Sequence, residues 1–129
     1  MGKTLNRILL VEDDLDIQAI ARLALETLGG FTVEVCSRGQ EALDKAPAFA
    51  PDMIILDVMM PGMDGPTTLQ ALRQVPAVAA VPAVFMTARV QQHEIDQYKE
   101  LGAVDVIRKP FDPMALPTIL TAVWETCCD

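Results

Sequence analysis

Glu12 with Asp13, Asp57, Thr87 and the pair Arg108–Lys109 each follow directly on a short, largely apolar run. The runs are Ile8–Val11, Met53–Leu56, Ala83–Met86 and Val104–Ile107. If these runs are parallel strands, three carboxylates, a hydroxyl and an amine share one edge of a sheet. Each residue alone has a plainer explanation. Acids are favoured at a helix N-terminus by its dipole, a strand-end Asp is commonly a turn former, and an isolated Thr or Lys is an ordinary polar group. Together they define a chemistry. Two carboxylates about 5 Å apart repel by roughly 3 kcal/mol at an effective dielectric of about 20, so three in one pocket call for a cation. An all-oxygen cluster without a suitable His or Cys fits a hard divalent ion, Mg²⁺ or Mn²⁺. An Asp beside that ion, with Lys and Thr donors, is equipped to be nucleophile and acceptor in phosphoryl transfer.

The elements that must position these residues alternate along the chain. Phe31–Cys36 joins the four runs above as a fifth strand candidate. Runs that are apolar on consecutive residues indicate strands buried on both faces, as in a parallel sheet. Between them lie helical patterns. Asp14 caps a helix toward Leu28, with Ile17, Ile20, Ala21, Ala24 and Leu28 on one stripe and Gly29–Gly30 as its stop. A short helix covers Gly39 to Ala46, ending before Pro47; Pro66 opens another over Thr67 to Gln74; Gln91 to Leu101 follows, closed by Gly102. Asp112–Pro113 marks the start of the last helix toward Thr126, with Pro117 predicting a separate or distorted first turn. Five β–α pairs give a doubly wound α/β fold, whose ligands bind beyond the carboxyl ends of the strands.

Composition agrees and excludes other classes. The 129 residues are 51% hydrophobic and 5% aromatic, with 18 acidic against 10 basic side chains and a formal charge of −8. Nucleic-acid binding needs a basic face or stacking aromatics, so direct nucleic-acid contact is not expected. The longest uncharged stretch, Gln74 to Ala88, is too short to span a bilayer and contains Pro76 and Pro82, and no signal-peptide run is present. A soluble, cytoplasmic protein with free thiols at Cys36, Cys127 and Cys128 is the expectation. The sole histidine, His93, lies in a polar helix start and reads as a solvated side chain; Met59, Met60 and Met63 read as turn and core packing.

The strings ILLVEDD (8–14), MIILDVMMPGMDG (53–65), VFMTA (84–88) and RKPF (108–111) resemble the signature blocks of bacterial two-component response-regulator receiver domains, in order and at suitable spacing along essentially the whole chain. The resemblance is to the chemotaxis type of receiver. It implies a flavodoxin-like five-stranded parallel sheet in the order 2-1-3-4-5 with helices on both faces, and one receiver domain over residues 1–129. It implies that Asp57 is the phosphoacceptor for a sensor-kinase or phosphotransfer-protein phosphohistidine. Glu12 and Asp13 match the acidic pair that holds Mg²⁺ with Asp57 and the Met59 backbone carbonyl. Thr87 matches the switch hydroxyl and Lys109 the phosphate-contacting lysine, with Lys109–Pro110 cis. Asp14 falls one place past the acidic pair and is a helix cap. Pro61, Gly62 and Gly65 serve the turn after strand 3. The implied partners are the phosphodonor and a downstream protein target, with the chain a monomer or weak dimer.

One position departs from the pattern. Three residues before the lysine, where relatives commonly carry Tyr or Phe, stands Val106. The expectation is therefore a phosphorylatable receiver, active only on itself and not an enzyme, whose usual aromatic relay is missing. A stand-alone receiver is favoured over one excised from a larger regulator or hybrid kinase. The rival from another class is an Asp-nucleophile phosphatase of the haloacid-dehalogenase kind, but that chemistry wants a second acid where Met59 stands.

Overall fold

A computed structural model describes residues 4–88 and 90–128, with Cys128 described for its backbone alone. Five strands, β1 (Arg7–Val11), β2 (Thr32–Cys36), β3 (Met53–Asp57), β4 (Ala83–Thr87) and β5 (Asp105–Arg108), form one parallel sheet in the order β2-β1-β3-β4-β5. The helices are α1 (Leu15–Leu23), α2 (Gly39–Phe49), α3 (Gly65–Leu72), α4 (Gln92–Glu100) and α5 (Leu116–Cys128). This is the doubly wound architecture that the alternation of runs predicts.

The strand sequences explain the layers. Successive side chains point to opposite faces, so Leu9, Val11, Ile54, Leu56, Ala83 and Phe85 pack with Ala42 and Ala46 of α2, Leu69 and Leu72 of α3 and Tyr98 of α4. Their neighbours Ile8, Leu10, Met53, Ile55, Val84 and Met86 pack with Ala21 of α1 and Leu116, Leu120 and Val123 of α5. Every residue of β3 and β4 is buried, whereas the edge strands β2 and β5 are only partly so. Fully burying one such aliphatic side chain contributes about 1.5–3 kcal/mol. The strand ends that carry the polar residues are thus held by a rigid apolar floor.

Helix ends follow side-chain chemistry. Asp14 Oδ1 accepts from the Asp16 and Ile17 amides (2.9 and 3.1 Å), and Asp64 Oδ1 accepts from the Thr67 amide (2.8 Å). Each such cap typically contributes about 1 kcal/mol. Gly30 and Gly102 leave their helices at φ +71° and +112°, conformations that side chains beyond glycine resist.

Some local expectations are corrected, while the separate turn that Pro117 predicts before the last helix is found. The first helix does reach Leu28, but Ala24–Leu28 is wound as a π segment, and the buried stripe is Ala21, Ala24 and Leu25. Ile20 and Leu28 are about half exposed (47% and 51%), because the small alanines let the helix lie close to the sheet. α2 continues through Pro47 to Phe49: a proline so near the helix end forfeits one backbone bond only, and Phe49 packs against the core beneath the Arg7 guanidinium. The last helix begins at Leu116, after a separate turn in which Asp112 Oδ1 accepts from the Met114 amide (3.0 Å). Pro117 then lies in the first turn of α5, where its missing N–H costs nothing. Of the cysteines, Cys36 is a buried free thiol and Cys127 is disulfide-bonded, which overturns the free-thiol expectation there; the Cys128 side chain lies outside the described residues.

Candidate functional site

β1, β3, β4 and β5 all end on the same edge of the sheet. Asp57 closes β3 beside Met86, and Thr87 closes β4 beside Arg108. Glu12 follows β1 immediately, its amide donating to the Cys36 carbonyl (2.9 Å), so it continues the pairing with β2 by one more bond. Lys109 follows β5, its amide donating to the Thr87 carbonyl (2.9 Å). The Lys109–Pro110 peptide is cis, as the resemblance implied.

These backbones bring the side chains together. Lys109 Nζ lies 2.7 Å from Glu12 Oε1 and 3.0 Å from Asp57 Oδ1. Carboxylate oxygens of Glu12, Asp13 and Asp57 lie within 4.8 Å of one another. Glu12, Asp57 and Thr87 are buried, at 0%, 3% and 2% exposure, against the ordinary tendency of acids to stay in water. The Asp14 amide donates to Glu12 Oε2 (3.1 Å), and the Met59 amide makes a long contact to Asp57 Oδ1 (3.4 Å).

Burial sets the electrostatics. It pushes the Glu12 carboxyl up to about 7, with the Lys109 ammonium and the Asp14 amide opposing and Asp57 adding to the rise. Burial raises the Asp57 carboxyl too, again opposed first by Lys109. Desolvation alone would lower the Lys109 ammonium, but its two carboxylate partners outweigh that and hold it above its usual range. When all are ionised, three carboxylates and one ammonium leave a formal charge of −2. Glu12 Oε1 is ion-paired with Lys109 in the buried site. An oxygen-only set with that residual charge fits a hard divalent cation.

The turn after β3 is built to bring α3 onto the site. The Gly65 amide donates to the Val58 carbonyl (2.9 Å), and a Cβ at position 65 would stand 2.4 Å from the Asp57 carbonyl oxygen. Only glycine permits this approach. Met60 is buried and Met59 is 64% exposed, so the methionines divide between core and solvent. His93 is exposed.

The family model described as the response regulator receiver domain matches residues 8–121. The chain belongs to the response-regulator receiver family. Among curated relatives, it is 38% identical over 119 residues to the transcriptional regulatory protein CpxR of Escherichia coli (strain K12), covering 92% of this chain and 49% of that protein. It is 36% identical over 117 residues to the alkaline phosphatase synthesis transcriptional regulatory protein PhoP of Bacillus subtilis (strain 168), covering 91% and 48%. The receiver therefore spans about half the length of these relatives. Among solved structures, the chemotaxis protein CheY4 of Vibrio cholerae superposes with a TM-score of 0.86 at 31% identity, covering 93% of this chain and 99% of that one. A putative response regulator from Chloroflexus aurantiacus J-10-fl superposes at 0.84 with 30% identity, covering 95% and 99%. The flavodoxin-like sheet order of the resemblance is the order found.

In this receiver five of the predicted site residues, Glu12, Asp13, Asp57, Thr87 and Lys109, stand at the same edge of the sheet, and Met59 lies in the turn that follows Asp57. The sequence reading missed Gln18 and Ser37. The Gln18 side-chain amide donates both to the Glu12 backbone carbonyl and to Ser37 Oγ (3.0 Å). A glutamine one turn into a helix carries no signature of its own; its spacing from the Asp14 cap is the only available signal. Among the described residues, no helix is long and apolar enough to cross a membrane.

Proposed function

We propose that Asp57 is the phosphoacceptor of this receiver, a cytoplasmic protein that takes a phosphoryl group from the phosphohistidine of a sensor kinase or phosphotransfer protein. A carboxylate oxygen of Asp57 forms the new bond to phosphorus, and the bond from phosphorus to the donor imidazole nitrogen breaks. The observation that carries the reading is Lys109 Nζ held between buried Glu12 and Asp57, with Asp13 at the same cluster. Lys109 is positioned to neutralise charge on the transferred group, and Thr87, at the neighbouring strand end, is the hydroxyl that answers to it.

Glu12, Asp13 and Asp57, with the Met59 backbone carbonyl, would hold Mg²⁺ or Mn²⁺. When bound, such a cation supplies positive charge against the phosphoryl oxygens. The receiver catalyses only its own phosphorylation and dephosphorylation. Residues 1–129 act as one receiver domain, monomeric or weakly dimeric, whose output is a change of contact with a downstream protein. A phosphatase reading is not favoured, because Met59 stands where that chemistry wants a second acid. Phosphotransfer from a panel of sensor kinases tests the proposal. A cognate kinase should load the wild type and leave Asp57→Asn unlabelled; loading of the variant at the wild-type rate would reject it.

A further inference from the structure

We propose that Gln18 is a positioning residue for the metal-binding loop, its side-chain amide fixing the Glu12 peptide against the loop after β2. This rests on the assignment of Glu12, Asp13 and Asp57 as the cation ligands. Gln18 lies in α1 and is half-buried. Its Nε2 donates to the Glu12 backbone carbonyl and, at 3.0 Å, to Ser37 Oγ. The Glu12 carbonyl is an acceptor only, so it fixes which end of the amide faces it. Ser37 is itself anchored, its amide donating to Glu41 Oε1 (2.6 Å) in the first turn of α2. Glu41 is held in turn by Lys45 (2.9 Å).

The consequence follows from where Glu12 sits. Its amide is tied to the Cys36 carbonyl of β2 and its carbonyl to Gln18, so both groups flanking its Cα are fixed. That leaves χ rotation alone to aim a buried side chain whose Oε1 faces Lys109. The next peptide unit begins at the Glu12 carbonyl carbon and carries Asp13. One glutamine therefore holds the backbone hinge between two adjacent acids that must approach the same ion. Groups that orient metal ligands without touching the metal commonly alter affinity when removed. Here the contact is to the backbone of a ligand residue, so an effect at the lower end is expected.

The experiment compares wild type, Gln18→Met and Ser37→Ala. Methionine keeps length and apolar bulk but has no donor. Mg²⁺ affinity is measured by titration calorimetry, and phosphorylation by acetyl phosphate is followed across Mg²⁺ concentration. Gln18→Met should weaken Mg²⁺ binding about tenfold. Its half-saturating Mg²⁺ should rise by the same factor, while the rate at saturating Mg²⁺ stays within about twofold of wild type. Ser37→Ala should weaken binding less, since the bond to Glu12 remains. A merely structural role for Gln18 would lower melting temperature in chelator and leave Mg²⁺ affinity unmoved, which would overturn the proposal. If the wild type itself bound no Mg²⁺, the ligand assignment would fall first; if it bound Mg²⁺ and Gln18→Met bound equally well, only the role of Gln18 would fall.

Discussion

Lys109 Nζ donates to Asp57 Oδ1 at 3.0 Å across 52 residues of sequence, in a site where Lys109 is 18% and Asp57 4% exposed at the side chain. The same ammonium serves Glu12 at 2.7 Å. Removing it leaves two buried acids without their cation. Lys109→Ala in chelator should lose about 1–3 kcal/mol of stability at pH 8, the cost of stranding buried charged partners. The loss should shrink at pH 5, where protonation can relieve the acids. Urea titrations at the two pH values check this.

Mg²⁺ should stabilise the folded chain by linkage, because it binds a cluster that exists only on folding. At ten times its dissociation constant the gain is about 1.4 kcal/mol. Thermal melts with Mg²⁺ and with chelator should therefore separate for the wild type. Asp13→Ala should bring the two curves nearly together, since it deletes a carboxylate of the cluster. Identical wild-type curves, with no heat on titration, would remove the site.

The raised Glu12 carboxyl has its own pH signature. Its folded-state value is about 7 against an ordinary 4.5, chiefly through burial. A folded state that binds a proton more tightly than the unfolded chain loses stability as pH rises through that interval. The metal-free protein should thus be destabilised between about pH 4.5 and 7 relative to its acid side, and Glu12→Gln should flatten that slope. Mg²⁺ affinity should fall below pH 7, because the ion must displace the Glu12 proton. Melting temperatures in chelator at closely spaced pH, for both proteins, decide the matter.

The sheet and the site were legible because the same residues carry both. Consecutive apolar residues such as Ile8 to Val11 read as a doubly buried strand, and the polar residues that interrupt them read as strand ends. Pro47 misled because a proline is a strong breaker only in a helix interior, and distance from the helix end is invisible before packing is known. Ile20 and Leu28 misled because hydrophobicity ranks them above alanine, whereas close approach to the sheet selects Ala21 and Ala24. Gln18 was illegible for a third reason. Its partners are a backbone carbonyl and a serine 19 residues away, and neither leaves a pattern in sequence.

Val106 lies beside Phe85 in the β4–β5 register, and Phe85 meets Tyr98 of α4 edge-on, with ring centroids 5.2 Å apart at 70°. The aromatic that packs over this part of the sheet therefore sits on α4, and β5 offers a valine with few χ1 options. Phosphorylation adds about two negative charges and strong acceptors, which should draw the Thr87 hydroxyl toward Asp57. The change should be read from the segment after Thr87 and from α4, with the Tyr98 ring shifting and Val106 nearly stationary. NMR shifts of the Tyr98 ring and Val106 methyls, with and without beryllofluoride, test this. A large Val106 change with α4 unmoved would contradict it. Thr87→Ala should uncouple activation from partner binding, while Val106→Ala should mainly cost packing.

The central claim is that Asp57 is the one acceptor in the chain. Intact-mass and peptide-level mass spectrometry after incubation with acetyl phosphate and Mg²⁺ measures it directly. The wild type should gain one phosphoryl group, located at Asp57 and lost in chelator-treated controls, and Asp57→Asn should gain none. Labelling of Asp57→Asn at the wild-type rate, or a modified residue elsewhere in the wild type, would contradict the account.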